Sequence, residues 1–144
     1  MTAACAFCRI ASGEVPGNIV YRDDRVVAFL DRAPLLPGHV LVAPIAHVPT
    51  LDELPGDLVG PLFEAVRRLS IAVQRGLDAD GSFVAANTRV SQSVPHVHVH
   101  VVPRNEGDGL FSPRLIWKRR SYASDEEAAG YAQRIRAALE APER

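Results

Sequence analysis

The run His96-Val97-His98-Val99-His100-Val101-Val102 constrains this chain more than any other segment. Side chains of an extended segment alternate between its two sides, so the three histidines share one face, about 7 Å between neighbours, and the valines share the other. The valine face requires a core. The opposite face concentrates three of the chain's five histidines, where valine or threonine would suit a strand better, so solvated surface residues explain it poorly. Imidazole titrates near ~6.5, which suits both metal chelation and nucleophilic or acid–base catalysis at neutral pH. A His-x-His strand can hold a catalytic zinc when a third histidine comes from elsewhere. The residues upstream tilt the choice: Asn87, Ser91, Gln92 and Ser93 place neutral hydrogen-bond donors beside the histidine face, a set suited to the non-bridging oxygens of a phosphate.

The rest of the chain supplies the frame for that strand. Ile19-Val20-Tyr21 and Arg25 to Leu30 read as a hairpin around Asp23-Asp24, and Val40 to Ala43 as a third strand after the turn signal Pro37-Gly38. Ser82 to Ala86 and Val94 to Val102 supply two more, joined through Arg89 to Pro95. Leu58, Leu62, Val66, Leu69 and Val73 recur at helical spacing, with Thr50 to Glu53 as a capping box and Gly76 as the closing residue. Ser124, followed by three acidic residues, opens a second helix with Tyr131, Ile135 and Leu139 toward the body. The expected fold is α+β, a single domain over residues 1–144, with an antiparallel sheet of about five strands and two helices. Residues after about 105 form its variable segment.

The chain has 144 residues, 47% of them hydrophobic, enough for one core but not for two domains. Its net charge of −1 gives no reason to expect nucleic acid or a membrane as partner. No basic leader or long apolar stretch appears, so a cytoplasmic setting is expected. Cys5 and Cys8 are too close in sequence for a stabilising disulfide. Inert thiols, a redox pair or a metal site remain, and their spacing, with His47 past the third strand and His96 on the histidine strand, favours a metal.

The motif His-φ-His-φ-His-φ-φ, with φ apolar, resembles that of the histidine triad family. The likeness extends to Cys5 to Ile10, Ala28 to Asp31, Pro37 to Val42, Asn87, Gln92-Ser93 and Pro103-Arg104. It implies a nucleotide hydrolase or transferase in which His98 attacks the α-phosphorus and forms a nucleotidyl-imidazole intermediate. By the same resemblance His100 and Ser93 contact the phosphate or leaving group, Asn87 and Gln92 orient it, and His39 fixes a tautomer behind the triad, with His96 the first of the three. Phe7, Ile10 and Phe29 match the base pocket, and Asp31 the acceptor of the ribose hydroxyls. Some bacterial members and related uridylyltransferases carry a zinc on two cysteines, a loop histidine and the first triad histidine, here Cys5, Cys8, His47 and His96. That zinc is structural, because four protein ligands leave no position open.

The implied substrates are purine nucleotides of adenosine type: phosphoramidates, nucleotide esters or dinucleoside polyphosphates. The implied assembly is a homodimer. A nucleotide-binding regulatory protein with negligible turnover is the alternative. Members of the family often carry glycine where this chain has Arg89 and Ser91, and an aromatic residue in place of Pro95; glycine permits backbone angles that other residues resist. The basic, aromatic stretch Arg114 to Tyr122 is similar to a segment of dinucleoside polyphosphate-cleaving members. It suggests Trp117 as a stacking residue and Arg119 or Arg120 as phosphate partners.

Overall fold

The computed structural model describes residues 4–112 and 119–142. Arg114 and Trp117 therefore lie outside the described residues. The elements run α1 (Ala6–Ala11), β1 (Ile19–Arg22), β2 (Val26–Leu30), β3 (Val40–Pro44), a 3-10 turn (Leu51–Glu53), α2 (Gly56–Gly76), β4 (Gly81–Ala85), β5 (Val99–Arg104) and α3 (Asp125–Glu140). The five strands form one sheet in the order β1-β2-β3-β5-β4, every neighbouring pair antiparallel. The first three are a meander, as short connections dictate. β5 then enters between β3 and β4, pairing Leu41 with His100 and Ala85 with His100 across its two edges.

Both faces of the inner strands are covered, and the alternation of each strand decides which residue goes where. Val26, Ala28 and Leu30 of β2, Val40 and Val42 of β3, and Val99 and Val101 of β5 join one buried cluster with Leu62, Val66, Leu69 and Val73 of α2 and Ala128, Ala132 and Ile135 of α3. Tyr131 and Leu139 pack on its margin. Val27, Phe29 and Leu41 point the other way and bury Phe7, Cys8 and Ala11 of α1. Val102 closes a third cluster with Leu35, Leu36 and Leu110.

Four local readings differ from the sequence-based expectation, the first being the strand expected over Val94 to Val102, which runs instead from Val99 to Arg104. The cysteine segment forms a short helix, α1, six residues being too few to show a period. Thr50 and Glu53 do pair, but hydroxyl to carboxylate at 3.0 Å, and they belong to the 3-10 turn; α2 starts later, after Pro55. A side-chain cap occurs instead on α3, where Ser124 Oγ accepts from Glu127 N–H and the Glu127 carboxylate accepts from the N–H of Ala123, the residue before the N-cap. Gly76 is still helical, and it is required for another reason. A Cβ there would lie 2.5 Å from the Arg134 carbonyl of α3, so the missing side chain lets the two helices close. No helix among the described residues is long and apolar enough to cross a membrane.

Candidate active site

His96, His98 and His100 are all buried, on the face opposite Val97, Val99 and Val101. Only His100 lies within the ladder of β5. His96 and His98 precede it, in a segment held by the bond from Val97 N–H to the Val48 carbonyl (2.7 Å). The His98 and His100 ring centroids are 5.0 Å apart, and Phe7 stands edge-on to His98 at 4.9 Å and 88°.

The hydrogen bonds fix which nitrogen of each ring carries the proton. His98 Nδ1 lies 2.8 Å from the His96 carbonyl, which can only accept, so Nδ1 bears the hydrogen and Nε2 keeps its lone pair. His39 Nδ1 accepts from Leu35 N–H at 3.0 Å. Its proton is therefore on Nε2, which donates to His100 Nδ1 at 2.8 Å, and this places the His100 hydrogen on Nε2. The outcome is a pair of complementary imidazoles, one nucleophilic at Nε2 and one donating from Nε2. His39 is wholly buried and sets this arrangement without reaching the ligand space.

Burial disfavours the charged ring in all four cases. It pushes His39 down to about 3, opposed by Asp31 and reinforced by His100 and Arg119. His100 falls to about 4 through burial and then the neighbouring His98. His96 and His98 are lowered as well, burial outweighing their bonds to backbone carbonyls. Near neutral pH the rings are uncharged, as a nitrogen nucleophile must be.

A cavity of ≈ 350 Å³ opens beside the two rings, lined by Leu35, Asn87, Ser91, Ser93, His98, His100 and Arg119. Asn87 and Ser93 thus line it together with His98 and His100. Gln92 does not line it: its amide nitrogen donates to the Pro49 and Val94 carbonyls and its oxygen accepts from Arg89 N–H. That side chain braces a loop in which Arg89 and Ser91 hold φ of 65° and 61°, the left-handed angles glycine adopts most readily. Phe7 and Phe29 are buried edge-to-face on one another at 5.1 Å, and Ile10 is half-buried beside them. Asp31 is engaged on both oxygens, Oδ1 with Ala33 N–H (3.0 Å) and Oδ2 with Arg119 Nη1 (2.6 Å). Leu35 carries no sequence signal for a site, and Tyr122 is marked only as the end of the aromatic, basic stretch. The first contributes a backbone N–H to His39, and the second accepts from Gly38 N–H at 2.9 Å through its hydroxyl.

Cys5, Cys8, His47 and His96 converge on one another, each offering one ligand atom within 4.8 Å of the others. The His96 Nδ1 to Cys5 Sγ and Cys8 Sγ distances are 3.4 and 3.5 Å, and His47 Nδ1 to Cys8 Sγ is 3.5 Å. A tetrahedral zinc with thiolate and imidazole ligands has nitrogen–sulfur edges of about 3.5 Å. His96 Nε2 donates to the Pro44 carbonyl at 2.7 Å, which leaves Nδ1 free to ligate, the usual support for a metal-binding imidazole. The donor set fits a metal ion.

Fold and site together define a class: a five-stranded antiparallel sheet presenting three alternating imidazoles to one cavity. The chain belongs to the histidine triad (HIT) family of nucleotide-binding hydrolases and transferases, the HIT domain model matching residues 12–107. It is 48% identical to a HIT-like protein of Saccharolobus solfataricus over 101 residues, 69% of this chain and 73% of that protein. Against an adenylylsulfatase of Arabidopsis thaliana it is 35% identical over 127 residues, 87% of this chain and 64% of the enzyme. Among solved structures it is similar to a zinc-bound histidine triad family protein from Mycobacterium smegmatis, with a TM-score of 0.81 and 33% identity over 94% of this chain and 93% of the other.

Proposed function

We propose that this chain is a nucleotidyl hydrolase or transferase acting at the α-phosphate of adenosine phosphoramidates, nucleotide esters or dinucleoside polyphosphates. The observation that carries the reading is the bond from His98 Nδ1 to the His96 carbonyl, which directs an unprotonated Nε2 toward the cavity. That nitrogen attacks phosphorus, forming the P–N bond as the bond to the leaving group breaks, while the His100 Nε2–H hydrogen-bonds the departing atom, which takes its proton from solvent. Water then attacks the same phosphorus and breaks the P–N bond, its proton passing to solvent as the nucleotide and His98 are released. Ser93 and Asn87, both lining the cavity, hold the non-bridging oxygens, and Gln92 acts through the loop that carries them. The base lies against the Phe7, Ile10 and Phe29 side, and the ribose hydroxyls bond Asp31. The adenylylsulfatase relative supports a substrate whose adenylyl group bears an acidic leaving group.

In the same reading Cys5, Cys8, His47 and His96 hold a structural zinc, supported by the zinc-bound relative and the donor geometry. Bound there, the ion ties α1 to the histidine segment and takes no part in the reaction. The reading also includes a cytoplasmic homodimer of single-domain chains. Val59 and Phe63 of α2 and Val84 of the edge strand β4 support the dimer, being large apolar residues left exposed.

The test is AMP release from adenosine phosphoramidate by the wild type and His98→Ala at equal metal content. Loss of the nucleophile lowers turnover by ~10³-fold or more, with AMP binding retained. If neither protein turns over although AMP binds, the chain is a nucleotide-binding regulatory module instead.

A further inference from the structure

Among the described residues Arg119 is the only arginine or lysine lining the cavity, and its position is built into the fold. The backbone around it is pinned to the β2–β3 connection, Arg120 N–H donating to the Pro34 carbonyl at 2.8 Å and Tyr122 Oη accepting from Gly38 N–H. The guanidinium donates from Nη1 to Asp31 Oδ2 at 2.6 Å and to the Ala33 carbonyl at 2.8 Å. Its side chain is nevertheless 46% exposed, whereas that of Asp31 is 12% exposed. One partner is fixed in the wall, and the other is a long, flexible cation at the mouth.

The two neighbours of this pair have opposite demands. A nearly buried carboxylate suits a neutral donor such as a vicinal diol. A cavity lined by imidazoles that burial keeps neutral, His100 down to about 4, has no other fixed positive charge among its described lining residues to meet the phosphates of a ligand. We propose that Arg119 is an exchangeable counter-ion: it rests on Asp31 in the free protein, and when ribose hydroxyls take that carboxylate the guanidinium transfers to the ligand's anionic tail. It thereby selects nucleotides carrying charge beyond the α-phosphate. The proposal rests on the nucleotide reading above, with Asp31 as ribose acceptor.

The exchange makes Asp31 and Arg119 compete in a way that has a signature. Titration calorimetry of the full chain would use adenosine, ADP and inorganic pyrophosphate as probes, with wild type, Arg119→Ala, Asp31→Asn and the double variant. Arg119→Ala weakens ADP by about tenfold, ~1.4 kcal/mol, and leaves adenosine unchanged or tighter. Asp31→Asn weakens adenosine yet tightens pyrophosphate severalfold, because the guanidinium is no longer occupied, and that gain vanishes in the double variant. Proportionate weakening of adenosine and ADP in Arg119→Ala, or no change in either, overturns the exchange and leaves nucleotide binding intact. So does a pyrophosphate gain that persists without Arg119. A wild type that binds neither adenosine nor ADP overturns the nucleotide reading, and this proposal with it.

Discussion

Acid should destabilise this fold through His39 in a way that one substitution isolates. The ring is wholly buried, with burial pushing it down to about 3 against the opposing Asp31 carboxylate at 3.8 Å and with the reinforcing charges of His100 and Arg119. In the unfolded chain it titrates near ~6.5. The native value is depressed, so the stabilisation is complete above ~6.5 and is lost as pH falls toward about 3. Between pH 7 and pH 5 the unfolded ring gains about 0.7 of a proton and the native ring almost none, which removes about 2 kcal/mol of stability. That figure hardly changes if the native value is a unit higher, because both lie below the window. His39→Gln keeps an acceptor for Leu35 N–H and a donor for His100 Nδ1 but cannot titrate. In urea denaturation at both pH values, the wild type should lose about 2 kcal/mol more than the variant. Equal losses in the two proteins would refute the assignment of His39 as a neutral, buried ring.

Further expectations concern packing, capping and the metal cluster. Gly76→Ala drives a methyl into the Arg134 carbonyl and should lower stability by about 1–3 kcal/mol. Gly130→Ala, at an exposed position of α3 with nothing within 4 Å of the added carbon, should raise it by roughly 0.5–1 kcal/mol; thermal melts of the two variants should shift in opposite directions. Ser124→Ala removes the side-chain acceptor of Glu127 N–H and should destabilise by ~1 kcal/mol in the same assay. Chelation should lower the melting temperature and make both thiols react rapidly with a disulfide reagent; reactivity and melting that ignore chelation would count against a metal on Cys5 and Cys8.

The sheet and the chemistry of one face were legible because period-2 alternation survives any tertiary context: Val97, Val99 and Val101 had to be buried together, and the histidines had to share the other side. The metal cluster was legible from residue type and likeness. Hidden from the sequence were contacts that depend on how distant segments meet. Nothing local marks Gly76 as the point where α3 approaches α2, and a glycine after a run of apolar periodicity reads naturally as a helix stop. The Thr50 to Glu53 pattern has the residues of a capping box but is followed by Pro55, and the chain turns once before α2 begins. Gln92 offers the same donors as Asn87, and only the loop path decides that its amide faces Pro49 and Val94. The Asp31–Arg119 pair spans 88 positions and required the chain to return to the β2–β3 connection.

The order in which the sheet is made differs from the order in which it is arranged. β1, β2 and β3 pair with their neighbours as soon as they are synthesised, but β4 has no neighbour until β5 arrives between it and β3. At ~5–20 residues per second, the 91 positions separating Cys5 from His96 take roughly 5–18 seconds to appear. During that interval the nascent chain exposes two thiols without their imidazole partner and an apolar meander whose β3 edge lacks β5. Protection during synthesis is thus a demand that the finished molecule, with both cysteines buried, no longer shows.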